Sequence, residues 1–439
     1  MQSDPILQAF QLYQQGRYEL AAQRCQTYLA SNPGHAEMNH LFGVIRFRQG
    51  RTGEALELMR RAVAAADATA EMHNNYGAVL NKAGRAQDAI AAFKKALALS
   101  PNYSDALNNL GVIYRDAKDT DAAIAAFKKA VELDPTSAQA KTNLRSAYRD
   151  VVPAWHFAMM DDRVRNAAYD SAIRRAVAGK CVLDIGTGAG LLAMMAARAS
   201  AEHVMTCESV VTIAERAREI VARNGFADRI SVIGKPSTEL MALRDIPKRA
   251  DVLITETFAS NLIGENMLPT LEHAHEQLLT PDATVIPAFG SLLGYLAGGD
   301  VLKGMLFVET IDGFDVSPFN DFGPPLLTAR MDDVPHEQMS EDVELLRFDF
   351  KEKNFPMDKR RIAIPVTAPG VCIGIVQWIR LELDSQTRYE NRPAPGSDFN
   401  GHWGHLVHRF AKPVSVMTGD VVRIEIRHDR NTVNIDLAE

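Results

Sequence analysis

The chain has 439 residues, 23% of them charged, and a formal net charge of −7. That length exceeds one ordinary core and suggests about two to four domains. The acidic balance weighs against a protein held to nucleic acid through its phosphates, and it leaves room for a basic partner.

The first 150 residues repeat with a period of 34, the spacing of a tetratricopeptide helix-turn-helix unit. Units run 2–35, 36–69, 70–103 and 104–137, and 138–150 reads as a capping helix. A small residue recurs at the eighth position (Ala9, Gly43, Gly77, Gly111) and alanine at the twentieth (Ala21, Ala55, Ala89, Ala123). These are places where two helices touch backbone to backbone. A bulkier apolar side chain follows at Cys25, Met59, Phe93 and Phe127, and proline closes units at Pro33, Pro101 and Pro135. Asn74, Asn75, Asn108 and Asn109 fall on the first helices, whose faces line the concave side of such arrays. There they could clamp a peptide backbone; the alternative is a spacer or oligomerisation surface.

From 151 to 287, short apolar runs alternate with amphipathic segments: Cys181–Ile185, His203–Cys207, Ile230–Ile233, Asp251–Thr255 and Ala283–Ile286. The alternation predicts a parallel sheet covered by helices, in the Rossmann-like manner. Ligands in such sheets lie beyond the carboxyl ends of the strands, so Asp184, Glu208, Ser237 and Glu256 should converge on one crevice.

The first strand runs through Asp184 into Gly186, Gly188 and Gly190, a turn that lets a ligand approach the backbone closely. The dinucleotide fingerprint would need a further glycine where a bulkier residue follows, and no Gly-Lys-Ser/Thr cradles a triphosphate. A nucleoside ligand such as S-adenosylmethionine fits better, with Asp184 accepting from its amine and Glu208 clasping its ribose hydroxyls. Ahead of the strand, Arg165 is placed to meet an amino-acid carboxylate and Met159 a sulfonium. After the fourth strand, Glu256 and Glu265 stand nine residues apart in a loop of small and apolar residues. Two carboxylates in that setting suit a guanidinium, whose planar fork they can hold from both sides.

From 288 to 439 the runs Ile362–Pro365, Val371–Leu383, Leu406–Phe410, Val421–His428 and Thr432–Leu437 read as strands. Cys25, Cys181, Cys207 and Cys372 lack paired metal spacing, so reduced, inert thiols and no metal site are expected. No basic leader opens the chain, and no window approaches about eighteen uncharged apolar residues; a cytoplasmic, non-membrane protein is the expectation.

Taken together, these residues resemble the protein arginine N-methyltransferases, from about Trp155 to the C-terminus. Val182–Gly190 matches the family's cofactor turn, including Asp184, Gly186 and Gly188; Glu208 matches its ribose acid; and Glu256 and Glu265 match its paired-glutamate loop. His156, Met159 and Arg165 match the segment that closes on the methionine end of the cofactor, and Ser237 stands where adenine is contacted. Gly401-His402-Trp403 matches the family's threonine-histidine-tryptophan loop, which implies a pocket role for His402 beside Asp162. Trp155-His156-Phe157 and Leu262-Ile263-Gly264-Glu265 look most like the branch numbered seven and nine, of which the ninth also bears tetratricopeptide repeats.

The resemblance implies a helical tetratricopeptide solenoid, an α/β cofactor domain and a C-terminal β-barrel with a dimerisation arm near 310–337. It implies transfer of a methyl group from S-adenosyl-L-methionine to arginine in proteins, a homodimer, and an array that recruits the substrate or another protein partner. Two other readings remain: an interaction scaffold with a degenerate methyltransferase fold, and a methyltransferase for another nucleophile such as lysine or a small guanidine.

Overall fold

The computed structural model describes residues 4–152, 155–394 and 403–438. It divides into two compact units, Met1–Pro153 and Ala154–Glu439. In the first unit, paired helices follow the repeat: α1 (Pro5–Gln14) with α2 (Tyr18–Ser31), α3 (Ala36–Arg48) with α4 (Thr52–Val63), α5 (Ala70–Lys82) with α6 (Ala86–Leu99), α7 (Ser104–Asp116) with α8 (Thr120–Leu133), then α9 (Ala138–Val151).

The small and bulky positions of each repeat are two halves of one contact. A Cβ built on Gly43, Gly77 or Gly111 would stand 2.7, 2.7 or 2.6 Å from Met59, Phe93 or Phe127. The turns within the pairs repeat as well: Gly16, Gly50 and Gly84 adopt φ of +72°, +77° and +76°, and Lys118 takes the fourth such place at +65°. A left-handed conformation costs a non-glycine residue about 1–2 kcal/mol. Lys118→Gly is therefore expected to stabilise the unit by about 1 kcal/mol, read as a higher chemical-denaturation midpoint for the repeat transition. An unchanged or lower midpoint would contradict it.

The asparagines of the first helices engage one another and His40. Asn109 Nδ2 donates to Asn74 Oδ1 (3.0 Å), Asn143 Nδ2 donates to Asn108 Oδ1 (2.9 Å), and Asn75 Nδ2 meets His40 Nε2 (2.9 Å). They tie successive first helices together, because positions 35 residues apart, one more than the repeat period, fall within hydrogen-bond reach.

In the second unit, α10 (Trp155–Asp161) and α11 (Arg163–Ala176) precede the alternating segment β1 (Cys181–Ile185), α12 (Leu191–Arg198), β2 (His203–Cys207), α13 (Val211–Arg223), β3 (Ile230–Ile233), β4 (Ala250–Thr255), α14 (Met267–His273) and β5 (Leu279–Ile286). The strands form a parallel sheet in the order β3-β2-β1-β4-β5. Sequence order reverses beside β1, so the crevice where such sheets take ligands opens at its carboxyl end. All five residues of β1 are buried.

The chain continues through β6 (Phe289–Gly298), α15 (Asp300–Leu306), the hairpin β7 (Thr310–Ile311) and β8 (Phe314–Asp315), β9 (Leu326–Ala329), β10 (Glu337–Gln338) and β11 (Val343–Asp349). It ends in β12 (Asp358–Pro365), β13 (Gly370–Glu382), β14 (Arg388–Glu390), β15 (His405–Val416), β16 (Val421–His428) and β17 (Val433–Leu437). Among the described residues these strands make one antiparallel sheet around β6, β13 and β15 and a second of β12, β16 and β17. Both sheets feed one core with the parallel sheet, in which Ile364, Ile375, Ile379, Ile424 and Val182 are buried.

The span 310–337 is not one free insertion. β9 pairs with β15 and β10 with β6, while Ile311, Phe314, Phe319 and Phe322 stand exposed ahead of β9. Neither β6 nor β11 was among the runs that read as strands. In β6, Gly290, Gly294 and Gly298 dilute the β-forming pattern; a Cβ at any of them would come within 2.6 Å of Phe350, 2.8 Å of Ile375 or 2.5 Å of the Val371 carbonyl.

Candidate active site

The turn after β1 carries Gly186 at φ +88° and Gly188 at +49°. A Cβ on Gly186 would lie 2.5 Å from Thr257 Cγ2, so the turn and the loop after β4 are in direct contact. Thr255 Oγ1 reinforces this by donating to the Ile185 carbonyl (3.1 Å).

Asp184 is buried at the end of β1. One of its oxygens, Oδ2, accepts from Thr206 Oγ1 (2.7 Å), and Thr206 meets Thr187 (2.6 Å). The other, Oδ1, is buried with no hydrogen-bond partner. Burial pushes the Asp184 carboxyl up to about 7 against the opposing pull of the Thr206 bond, and the nearby Glu208 charge adds to the rise. A buried, reluctantly charged carboxyl with an unbonded oxygen beside a glycine turn suits a cationic or N–H donor.

Glu208, half-buried after β2, binds the turn itself: Oε2 accepts from Gly188 N and Oε1 from Val210 N, both at 3.1 Å. Ser237 opens the short helical turn after β3 and is buried. Asp184, Gly186, Gly188 and Glu208 are thus brought together by contact, and Ser237 takes the corresponding place on the next strand.

The loop after β4 is strained where it carries its acids: Leu262, Glu265 and Asn266 all have positive φ, at +68°, +60° and +60°. Non-glycine residues hold such angles only when their surroundings impose them, and such strain concentrates at functional sites. Here the surroundings are the C-terminal sheets. Trp403 Nε1 donates to the Phe258 carbonyl (2.7 Å). Gln377 Nε2 donates to the Ser260 carbonyl (3.0 Å), and its Oε1 accepts from Nε2 of His408 (2.8 Å). Burial holds His408 down to about 4, so its neutral ring donates through Nε2. The Asn431 carbonyl and Oδ1 accept from Asn261 Nδ2 and Asn266 N (3.1 and 3.0 Å).

Trp403 stood out in the sequence only as part of the Gly401-His402-Trp403 match; the partners of these handles did not, because each contact to the loop spans more than a hundred residues. Trp403→Phe removes the first and leaves a buried carbonyl unsatisfied, which costs about 1–3 kcal/mol. A lower melting temperature with a larger loss of turnover than of cofactor affinity is the expected result. Equal turnover would show that the loop does not depend on this handle.

Arg165 differs most from its expected setting. Its Nη2 donates to Glu256 Oε2 (2.6 Å) and its Nη1 to Asn166 Oδ1 (2.6 Å). Both the Arg165 and Glu256 side chains are about 95% buried, with exposures of 4% and 5%. Nε of Arg165 is buried and lacks a partner. Asp162 caps α11 by accepting from Arg165 N (2.9 Å), and its Oδ2 accepts from Tyr389 of β14 (2.9 Å). The sequence reading paired Asp162 with His402, which lies outside the described residues.

Glu265 is exposed, yet partial burial and then the Glu256 charge raise its carboxyl above the ordinary range, while His156 pulls it down. The two glutamates and His156 therefore share one electrostatic neighbourhood. Met159, half-buried on the same helix as His156, offers its carbonyl to Arg165 Nη1 (3.4 Å). Among the described residues no cluster of His, Cys, Asp and Glu could hold a metal ion. The four cysteines are free and buried, and Cys25 and Cys207 are pushed up to about 12 by burial.

Comparison with known proteins agrees with this geometry. Two tetratricopeptide repeat models match residues 8–71 and 68–136, and the ribosomal protein L11 methyltransferase (PrmA) model matches 168–286. An arginine N(omega)-methyltransferase of Streptomyces achromogenes subsp. streptozoticus is 38% identical over 288 residues, which cover 65% of this chain and 79% of that protein. The chain belongs to the arginine N-methyltransferase family. Protein arginine N-methyltransferase 7 of Drosophila melanogaster is 28% identical over 326 residues. That match takes in 64% of this methyltransferase but 47% of the fly protein, so the chain spans about half of that relative.

The solved structures support the fold. The Trypanosoma brucei PRMT1 enzyme-prozyme heterotetrameric complex with AdoHcy aligns with a TM-score of 0.56 at 23% identity, over 66% of this chain and 95% of that one. Arabidopsis thaliana protein arginine methyltransferase 10 aligns with a TM-score of 0.51 at 22% identity, over 62% and 86%. As a member of the arginine N-methyltransferase family, the protein uses S-adenosylmethionine to methylate arginine nitrogen. No helix among its described residues is long and apolar enough to cross a membrane.

Proposed function

We propose that the chain methylates arginine side chains within proteins, that Glu256 and Glu265 hold the target guanidinium, and that the repeat array recruits the protein bearing it. The observation that carries the site reading is that Glu256, in the loop that also carries Glu265, already takes a guanidinium nitrogen, that of Arg165, at 2.6 Å. Partial burial and then the Glu256 charge raise the Glu265 carboxyl, and a cation between the two glutamates relieves that repulsion.

The residues fit S-adenosylmethionine: Asp184 Oδ1 and Arg165 Nε are buried polar atoms without partners, and Gly186 leaves no room for a Cβ. Asp184 would receive the amine, Arg165 Nε the carboxylate and Glu208 the ribose, with Ser237 near the base and His156 and Met159 over the methionyl end. Bound there, the cofactor supplies a methyl group on a positively charged sulfur. The glutamates align one guanidine nitrogen for in-line attack, most of the rate coming from positioning. Transfer of that methyl group to the nitrogen would require the nitrogen to shed a proton. Glu265, raised above the ordinary carboxylate range by partial burial and the Glu256 charge, would accept it.

We assign the exposed aromatic stretch Ile311–Phe322 to contact with a second copy and the chain to the cytoplasm, in keeping with its free thiols. A monomer mass by light scattering would remove the first assignment. A second reading, methylation of a small guanidine, draws on the name of the 38%-identical relative, which specifies arginine and not protein. Mass analysis of a labelled peptide and of free arginine after incubation with the cofactor separates the two.

A further inference from the structure

The face formed by the first helices of the array contains a groove of about 760 Å³ between α1, α3 and α5. That lies within the roughly 300–1,000 Å³ span of ligand sites. Its walls are aromatic and aliphatic, with Phe10 and Tyr13 from α1 and Val44 and Phe47 from α3, and Phe10 is 43% exposed. Three exposed carboxylates, Glu37, Asp67 and Glu71, share that lining with one strong base, Arg48.

The groove acids differ from the acids on the outer helices. Glu54 pairs with Arg51, Glu57 with Arg60 and Arg61, and Asp88 with Arg85. Glu37, Asp67 and Glu71 form no ion pair among the described residues. Glu71 and Glu37 both act on the half-buried His40, which lines the groove with them. An aromatic floor with unneutralised carboxylates is attractive to a cation carried on an apolar stem: the carboxylates offer charge-assisted hydrogen bonds and the rings offer their negative faces. Phosphate and acidic segments are repelled by the same charges.

We propose that this groove docks an extended protein segment in which arginine or lysine alternates with apolar residues. The proposal deepens the reading of a protein-bound target, and rests on it: a substrate rich in arginine carries the chemistry the groove recognises at sites besides the one methylated.

The test uses the full chain and a fluorescein-labelled peptide of repeating Arg-Gly-Leu, read by fluorescence anisotropy. Glu37→Gln with Glu71→Gln is expected to weaken binding at least tenfold at low salt, and Phe10→Ser to weaken it severalfold. Glu132→Gln on α8, outside the groove, should leave it unchanged, and added salt should weaken the parent complex. Unaltered circular dichroism shows that the variants fold. Equal binding by the double variant and the parent, or equal binding of a control peptide of repeating Glu-Gly-Leu, would overturn the proposal. Methylation of free arginine but not of the peptide, with groove binding intact, would instead sink the protein-target reading and leave the groove assignment standing.

Discussion

Glu265→Gln is expected to lower kcat by on the order of a hundredfold or more while leaving cofactor affinity and melting temperature near those of the parent. Glutamine keeps the size and one acceptor but loses the charge that holds the guanidinium and takes its proton, and such positioning and charge effects are worth about 10²-fold or more. Because Glu265 is exposed, its substitution should alter stability by only about 0.5 kcal/mol.

Glu256→Gln should lose as much activity and behave differently otherwise. Glu256 is the carboxylate that meets the buried Arg165 guanidinium, and breaking a buried pair by removing one partner costs about 3–5 kcal/mol. A clear fall in melting temperature should accompany it. Paired measurements of single-turnover rate and thermal unfolding decide the matter. Retained turnover in Glu265→Gln would remove the two-carboxylate clamp.

Cofactor binding should be coupled to a proton. The Asp184 carboxyl sits near 7 in the folded protein against an ordinary 3.8, so between about pH 4 and pH 7 the folded state holds a proton that the unfolded chain has released. Stability of the cofactor-free protein therefore falls as pH rises through that window, by on the order of 4 kcal/mol in all. Above pH 7 the penalty is complete and levels off.

An ammonium docked on Asp184 reverses the preference and favours the carboxylate. The dissociation constant for S-adenosylhomocysteine is thus expected to fall as pH rises from about 5.5 to 7 and then to plateau, with a proton released on binding below pH 7. Calorimetry in buffers of different ionisation enthalpy measures that proton directly. Asp184→Asn should flatten the profile and weaken binding. A profile unchanged by that substitution would mean that Asp184 does not face the amine.

The parts of the site that lie along one stretch of chain were legible beforehand. The strand into Asp184 and three glycines, the acid after the next strand and the glutamate pair each declare themselves through local spacing. The repeat was equally plain, since Gly77 and Phe93 must share a volume that admits one large side chain. Contacts between distant segments were not legible. Nothing near Arg165 announces that Glu256 will take its Nη2, ninety-one residues on, and nothing near Trp403 announces the Phe258 carbonyl. β6 was hidden by glycines chosen for close sheet packing. The asparagines of the array were legible as residues of the first helices, but that Asn109 reaches Asn74 and Asn143 reaches Asn108 depends on the stacking distance, which only the fold supplies.

The most direct measurement is mass analysis after the full chain is incubated with methyl-labelled S-adenosylmethionine and an arginine-containing protein substrate, beside lysine peptides and free arginine. The account predicts label on arginine side-chain nitrogens of the protein, lost in Glu265→Gln. Label confined to lysine or to free arginine, or undiminished in that variant, would contradict it.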